Sequence, residues 1–382
     1  MRRSTAFVVA IALVASACGD DSSADPVPTT TTASPTTSTT EPPVDTTTTV
    51  PATSSTDPTN PTNPTNPTNP TNIEVATINV LHGLTPPVSD CALDTDQCNV
   101  EARVEILWNY LENDLGCPEI IAFQEIAARW FEVVPARLPD LCGGDHVLLT
   151  EDLELFDQEM ILTTLPVIEH ARTDLAGKNI WSAHWAQLDG GDGLIVDVFA
   201  THYASSSANP PCSPEAELTT CHEDCPVDAL LGDCHPFETL AFLAERAAPG
   251  SLQLIIGDLN KRIDEPRIQT LIQAGFIDTH LAAGNPECPE EGGPECTTGI
   301  GNGVETDYAG LDVADSVPKR RIDFVLARPP DGCELVVDSN DADGDGTDTG
   351  GWANVPLAEP IEGLYWPSDH TGIQADVGVD CT

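Results

Sequence analysis

At 382 residues and a formal net charge of −47, the chain is long enough for one large core and carries a field that repels polyanions. All but six of its 62 acidic residues and all but two of its 15 basic ones lie from residue 73 onward, so that part is poorly suited to a non-specific hold on nucleic acid. After the N-terminal apolar run, no stretch reaches the roughly 18 apolar residues of a membrane span.

The chain starts Met1-Arg2-Arg3, runs apolar from Ala6 to Val14, and then reads Ala15-Ser16-Ala17-Cys18. A basic start, a short apolar stretch and small residues before a cut predict a secretory signal over residues 1–18. The cysteine after small residues resembles a bacterial lipobox and makes Cys18 the candidate lipidation site. Ala15 stands where such boxes usually carry Leu, and ordinary cleavage nearby is the alternative. Residues 19–72 are mostly Thr, Pro, Ser, Asn and Asp, with an Asn-Pro-Thr repeat from Asn60 to Asn72. So little apolar surface cannot offset the entropy of ordering, which predicts a disordered linker suited to O-glycosylation. The expectation is an exported protein, cell-surface lipoprotein or secreted, with one domain over residues 73–382 and a membrane contact through the lipid.

Glu74–Val80 alternates apolar and polar residues and predicts a first strand. Val104, Leu107, Trp108 and Leu111 recur at helical spacing within Asn99–Asn113. Glu119–Phe123 predicts a buried strand ending at Gln124-Glu125, and residues 128–138 a helix. Strands are predicted at 146–149, 159–164, 180–188 and 194–202, a helix at His235–Ala247, a buried strand at Leu252–Ile256 and a helix at Pro266–Ala274. Strands at Ile322–Ala327 and Thr371–Val377 close the series. Many strands with few interspersed helices predict an α/β (α+β) architecture of two packed sheets with flanking helices. The long loops at 205–234, 280–318 and 338–354 are of the length that is usually functional or disulfide-bound.

Thirteen cysteines are present, twelve of them beyond Cys18. An even number in an exported domain points to disulfides, with Cys91/Cys98 and Cys288/Cys296 the closest pairs. Cys212, Cys221, Cys225 and Cys234 crowd one insertion, where a zinc site with His222 and His235 is the rival reading.

The chemistry concentrates at strand ends. Glu125 ends one buried strand, and Asp258 and Asn260 follow Leu254-Ile255-Ile256. Asn79 ends the first strand, and Ser368-Asp369-His370 precedes the last. Carboxylate and amide oxygens suit a hard ion such as Mg2+ or Mn2+ that also binds phosphate. His370 is a candidate base oriented by Asp323, and His202, after the strand Ile195–Ala200, a candidate for a phosphate oxygen or leaving group. Lys261, Arg262 and Lys319-Arg320-Arg321 lie on the motifs and predict a small positive rim, with Arg321, Lys261 and Arg262 as phosphate contacts. Asp341, Asp343 and Asp345 resemble the front half of a calcium loop, but its twelfth place is Trp352. The alternatives are a structural Ca2+ aided by Asp348 or a distant Glu, and a plain acidic turn.

Six ordered strings carry a resemblance: Thr77-Ile78-Asn79-Val80, Ile121-Ala122-Phe123-Gln124-Glu125, Thr201-His202-Tyr203, Gly257-Asp258-Leu259-Asn260, Arg321-Ile322-Asp323-Phe324 and Ser368-Asp369-His370. Together they resemble the endonuclease/exonuclease/phosphatase superfamily, the deoxyribonuclease-I-like fold, from about Glu74 to Val377. Met160–Val167 and Gly275-Phe276-Ile277-Asp278-Thr279 are weaker hallmarks. The resemblance implies a four-layer sandwich, two mixed β-sheets packed face to face with helices outside. It implies Mg2+ on Glu125, with Asp369 and Asn79 completing or supporting the site. Asp258 and Asn260 would position the attacking water and phosphate, and His370 with Asp323 would act as base or transition-state stabiliser. His202 would stand near the leaving group.

The leading expectation is a metal-dependent phosphodiesterase, most simply a nuclease, active as a monomer. The alternative is a phospholipase-C- or sphingomyelinase-like enzyme or a phosphomonoesterase, with Trp181, Trp185 or Tyr365-Trp366 as the clusters that would meet a bilayer. From another class stands a non-catalytic binding module on a stalk.

Overall fold

The computed structural model describes residues 72–81, 99–126, 129–150, 158–177, 181–205, 210–212, 221–223, 225–226, 229–300, 311–338 and 349–381. The predicted signal, Cys18, the linker up to residue 71, the Cys91/Cys98 pair and the acidic loop with Asp341, Asp343 and Asp345 lie outside the described residues.

In chain order the elements are β1 (Ile73–Asn79), α1 (Val100–Asn113), β2 (Ile120–Ile126), α2 (Trp130–Arg137), a 3-10 segment over Leu138–Gly144, β3 (Val147–Leu149), β4 (Gln158–Thr163), β5 (Val167–Asp174), β6 (Ser182–Asp189) and β7 (Ile195–His202). Then come α3 (Leu231–Arg246), β8 (Leu252–Asp258), α4 (Pro266–Gln273), β9 (Ile277–Asp278), α5 (Thr279–Ala282), β10 (Asp323–Arg328), β11 (Glu334–Val337), β12 (Gly350–Trp352) and β13 (Gly372–Asp380). In α1 the buried Val100, Val104, Leu107 and Leu111 repeat every three or four residues and make one apolar stripe. Pro266 opens α4 with a pre-set φ, and Gly275 (φ 94°) takes the left-handed turn beyond its end. β5 reads Val-Ile-Glu-His-Ala-Arg-Thr-Asp and is largely exposed, so its composition shows no strand pattern.

One sheet has the order β11-β13-β1-β2-β4-β3, with β12 added on β13, and the other has the order β5-β6-β7-β8-β10-β9. Each holds one parallel pair, β1 with β2 and β7 with β8, among antiparallel neighbours, so both are mixed. Three apolar clusters separate the layers. Ile78, Phe123 and Met160 pack against Leu107 and Trp130 under α1 and α2. Val75, Ala122, Val198, Leu254 and Val325 fill the space between the sheets. Phe199, Ile255 and Phe324 face Leu243 and Ile268 of α3 and α4. The arrangement is the expected four-layer α/β sandwich.

Five disulfides join described residues: Cys117–Cys142, Cys212–Cys221, Cys225–Cys234, Cys288–Cys296 and Cys333–Cys381. The four cysteines of the insertion, though close enough to ring a metal, are paired as two of these, which removes the thiolates a zinc site needs. His235 is buried instead, its ring bonded to Ala176 O and to the Ala204 amide, and burial pushes it down to about 3. Trp181, Trp185 and Trp366 are buried in the cores, which leaves no indole of these three to meet a bilayer. Among the described residues no helix is long and apolar enough to cross a membrane.

Candidate active site

The layer between the sheets changes character at one end. On β1 the face that carries Ile73 and Val75 continues into Thr77 and Asn79. On β8 the face of Leu252, Leu254 and Ile256 ends at Asp258, and on β7 Val196, Val198 and Ala200 end at His202. Alternation alone therefore brings Asn79, His202 and Asp258 to one polar rim of an apolar core. Register aligns the row, because His202 stands opposite Asp258 across the β7–β8 pair and Asp323 opposite Asp258 across β8–β10.

Glu125 should not be there by alternation, since its neighbour Phe123 faces the helices. The β2–β4 register breaks between Phe123 and Ile126, and Glu125 itself has φ 61°. This bulge re-aims the side chain so that its Oε1 accepts from Asn79 Nδ2 at 2.8 Å. The same nitrogen donates to Asp258 Oδ2 at 3.1 Å, and His202 Nε2 lies 3.8 Å from Glu125 Oε1 and 3.6 Å from Asp258 Oδ2. Two carboxylates thus meet around one amide and one imidazole.

Gly257 makes the turn into Asp258 possible. It has φ 128°, and a Cβ there would stand 2.1 Å from Thr201 O. Two residues on, Asn260 (φ 55°) closes the loop by donating its backbone N–H to Asp258 Oδ1 at 2.8 Å. Its Nδ2 donates to Tyr203 O at 2.8 Å and lies 2.9 Å from His202 Nε2. A carbonyl can only accept, so the contact with Tyr203 O orients the amide and turns its nitrogen toward the His202 ring.

The remaining wall comes from the last motif. His370 Nδ1 lies 2.9 Å from Asp323 Oδ2, and its Nε2 is 3.2 Å from Thr298 Oγ1 and 3.9 Å from Asp258 Oδ2. Burial alone would lower its pKa, but the carboxylates of Asp323, Asp369 and Asp258 outweigh that and push it up to about 10. Asp258 moves to about 6, first through burial and then through the charge of Asp323. Asp369, half-buried, lies beside the Ser368 hydroxyl at 3.3 Å, and that hydroxyl also donates to Asn79 O at 2.6 Å.

No family model matches the sequence, and no curated protein matches it. Solved structures do match the fold. D. rerio TDP2, complexed with a single-strand DNA product, superposes with a TM-score of 0.51 at 13% identity over 80% of this chain and 99% of that one. An endonuclease/exonuclease/phosphatase family protein from Bacteroides thetaiotaomicron gives 0.53 at 12% over 81% and 95%, and a mannosyl-6-phosphatase from the same organism 0.52 at 12% over 80% and 99%. The chain has the endonuclease/exonuclease/phosphatase fold.

Within that fold the sequence-predicted residues divide. Asn79, Glu125, His202, Asp258, Asn260, Asp323 and His370 come together. Arg321 does not face the cleft, which corrects its expected role as a phosphate contact. It is fully buried, bidentate on Asp278 at 3.2 and 2.7 Å, bonded to Glu287 and stacked 4.7 Å over Phe324. It precedes β10, which starts at Asp323, so strand alternation does not set its direction, and its guanidinium packs on the Phe324 side of the sheet. Lys261 is engaged by Glu265 at 2.8 Å, and Arg262 reaches Cys288 O at 3.5 Å. Asn79 presents its amide nitrogen to the carboxylates while its oxygen accepts from Leu81 N, so it orients Glu125 and Asp258 rather than offering them a ligand.

Two supporting residues escaped the sequence reading. Arg103, buried on α1, donates to Pro367 O at 2.7 Å and to the carbonyls of Val80 and Leu81, tying the Ser368–His370 loop to the end of β1. A lone Arg on the apolar stripe of a helix was the signal. Thr297 Oγ1 accepts from the backbone N–H of Ile322 and Asp323 at 3.1 and 3.2 Å, and nothing in its loop sequence marks it.

Proposed function

We infer that the chain is a metal-dependent phosphoesterase, exported and tethered by lipidated Cys18 and its Thr/Pro/Asn-rich linker, and that it acts as a nuclease on strand ends or short single strands. The observation that carries this reading is the convergence of Glu125, Asp258, His202 and the Asp323–His370 pair at one rim, where burial and then the charge of Asp323 raise Asp258 to about 6. Crowded buried oxygens of this kind fit a hard divalent cation, and Glu125 with Asp369 would hold Mg2+ there while Asn79 keeps Glu125 aimed. When bound, the ion neutralises charge that builds on the phosphoryl oxygens.

The protein's own groups divide the remaining work by their protonation. Asp258, ionised at neutral pH yet close to it in pKa, is poised to take a proton from the attacking water. His370, held charged by Asp323, places a fixed positive charge beside the phosphoryl oxygens and stabilises the transition state. Asn260 and His202, joined at 2.9 Å, face the same space and position the phosphate and leaving group. The similarity to a TDP2 bound to single-strand DNA supports a nucleic-acid strand as substrate. The net charge of −47 favours a second reading, a phosphomonoesterase on a small ester, which the likeness to a mannosyl-6-phosphatase also supports.

The deciding experiment measures hydrolysis of bis(4-nitrophenyl) phosphate with Mg2+ and with chelator. A panel of single-stranded oligonucleotide, plasmid DNA, RNA, sphingomyelin and sugar phosphates runs beside it. Glu125→Ala and His370→Ala should each abolish turnover. Activity untouched by both changes would reject the site.

A further inference from the structure

The segment that closes the site is built on one disulfide. Cys288–Cys296 fastens a loop, and Thr297 and Thr298 follow it directly. Their backbone N–H groups donate to Arg320 O at 2.7 and 3.0 Å, and Thr298 O accepts from Lys319 N at 2.7 Å. On the other side Thr371 N donates to Thr297 O at 2.7 Å, Thr371 Oγ1 to Cys296 O at 2.9 Å, and the N–H groups of Gly299 and Ile300 to Asp369 O at 3.1 Å. The segment is therefore a splint between the strand that starts at Asp323 and the loop that carries His370.

Thr298 is the residue of the splint that touches the chemistry. Its Oγ1 lies 3.2 Å from His370 Nε2, and both side chains are buried. Asp323 Oδ2 holds the ring at Nδ1, 2.9 Å away, and Thr298 holds it at the other nitrogen. Asp258 Oδ2, 3.9 Å from Nε2, is beyond hydrogen-bond reach, so the hydroxyl is the closer contact there.

We propose that Thr298 is a positioning residue for the reaction, its hydroxyl holding the His370 imidazole in one place at Nε2. The proposal rests on the phosphoesterase reading, and its test separates the two. Thr298→Val should lower kcat on bis(4-nitrophenyl) phosphate about tenfold with KM little changed, the size expected for one lost hydrogen bond. Thr298→Ser should return kcat to near the wild-type value, and both variants should keep the wild-type thermal midpoint. Side-chain nitrogen NMR on the metal-free protein at fixed pH should show the His370 Nε2 signal moved in Thr298→Val and restored in Thr298→Ser.

Full activity in Thr298→Val while Glu125→Ala is inactive overturns the proposal and leaves the enzyme reading standing. Equal losses in the Val and Ser variants also overturn it, since they would trace the effect to shape. If the wild type hydrolyses no phosphate ester, the reading fails, and an Nε2 signal unmoved by Thr298→Val then rejects the contact too. Should the Val variant not fold, Thr298→Ala is read by the same two measurements.

Discussion

Two acidic clusters flank Ile322, and they hold their charge in opposite ways. On one side Asp278 and Glu287 close on Arg321, a fully buried guanidinium that brings its own positive charge. Burial alone would lower the pKa of Arg321, but the two carboxylates outweigh that and raise it. On the other side the Asp323 carboxylate meets an imidazole, and that of Asp258 meets imidazoles, an amide and a backbone N–H rather than a guanidinium or ammonium. There burial and then the charge of Asp323 raise Asp258 to about 6. A cluster that closes on a guanidinium is a staple, whereas one whose carboxylates outnumber its imidazolium keeps affinity for a cation from outside.

The largest expected effect separates the clusters by activity. Glu125→Gln and Asp258→Asn should each cost about a thousandfold in kcat/KM, as loss of a preorganised charged group at the reacting centre does. If the charges there are unmatched, Asp258→Asn should also stabilise the metal-free protein, by about 1 kcal/mol, because it removes a buried carboxylate beside Asp323. Urea unfolding decides this. A destabilised Asp258→Asn protein would mean that the site is as well matched as the staple.

Arg321→Met tests the other cluster. Removing the guanidinium strands Asp278 inside the protein, and the expected loss is about 3–5 kcal/mol in urea unfolding. Adding Asp278→Asn should recover part of it. Arg321→Met with wild-type stability would show that the pair is dispensable and that the comparison is wrong on this side.

How much of this was legible in the sequence follows from geometry. Strand ends are local, so the positions of Asn79, His202, Asp258 and His370 follow from apolar runs that stop, and the sheet gathers them without further information. Glu125 was placed by the same rule, though it reaches the cleft only through a bulge that no alternation predicts. Arg321 was misread for a related reason. Its motif sits at a strand entrance, but Arg321 lies before β10 begins, where alternation gives no direction, and its acceptors Asp278 and Glu287 lie more than thirty residues away in sequence. Cys288–Cys296 was legible from spacing. Cys117–Cys142 and Cys333–Cys381 join distant elements and were not. β5 escaped because a polar edge strand lacks the pattern that marks buried ones.

Cation binding sharpens the comparison further. Mg2+ at about one hundred times its dissociation constant should stabilise the wild type by about 2.7 kcal/mol. That gain should vanish in Glu125→Gln and persist in a folded charge-neutral double variant of the staple, Arg321→Met with Asp278→Asn. Thermal shift with and without chelator reads it directly. An equal Mg2+ response in Glu125→Gln would move the ion elsewhere.

The smallest effect is a pH dependence, measured without metal. His370 has its pKa raised from an ordinary 6.5 to about 10 in the folded protein, so the fold binds that proton more tightly than the unfolded chain does. Its contribution is fully present below pH 6.5 and is lost as pH rises through 10. Asp258 acts with the same sign lower down, because its pKa is also raised, and its contribution fades between 3.8 and about 6. Other carboxylates titrate in that acid range, so the clean window is pH 7 to 9. There the wild type should lose about 1–2 kcal/mol more than His370→Gln, the coupling to neighbouring carboxylates keeping the loss below a full proton's worth. Parallel slopes for the two proteins would mean that Asp323 and Asp369 do not hold the imidazole charged. The acidic rim would then have no internal counter-charge at all, and its demand for an external cation would be greater than the comparison with Arg321 implies.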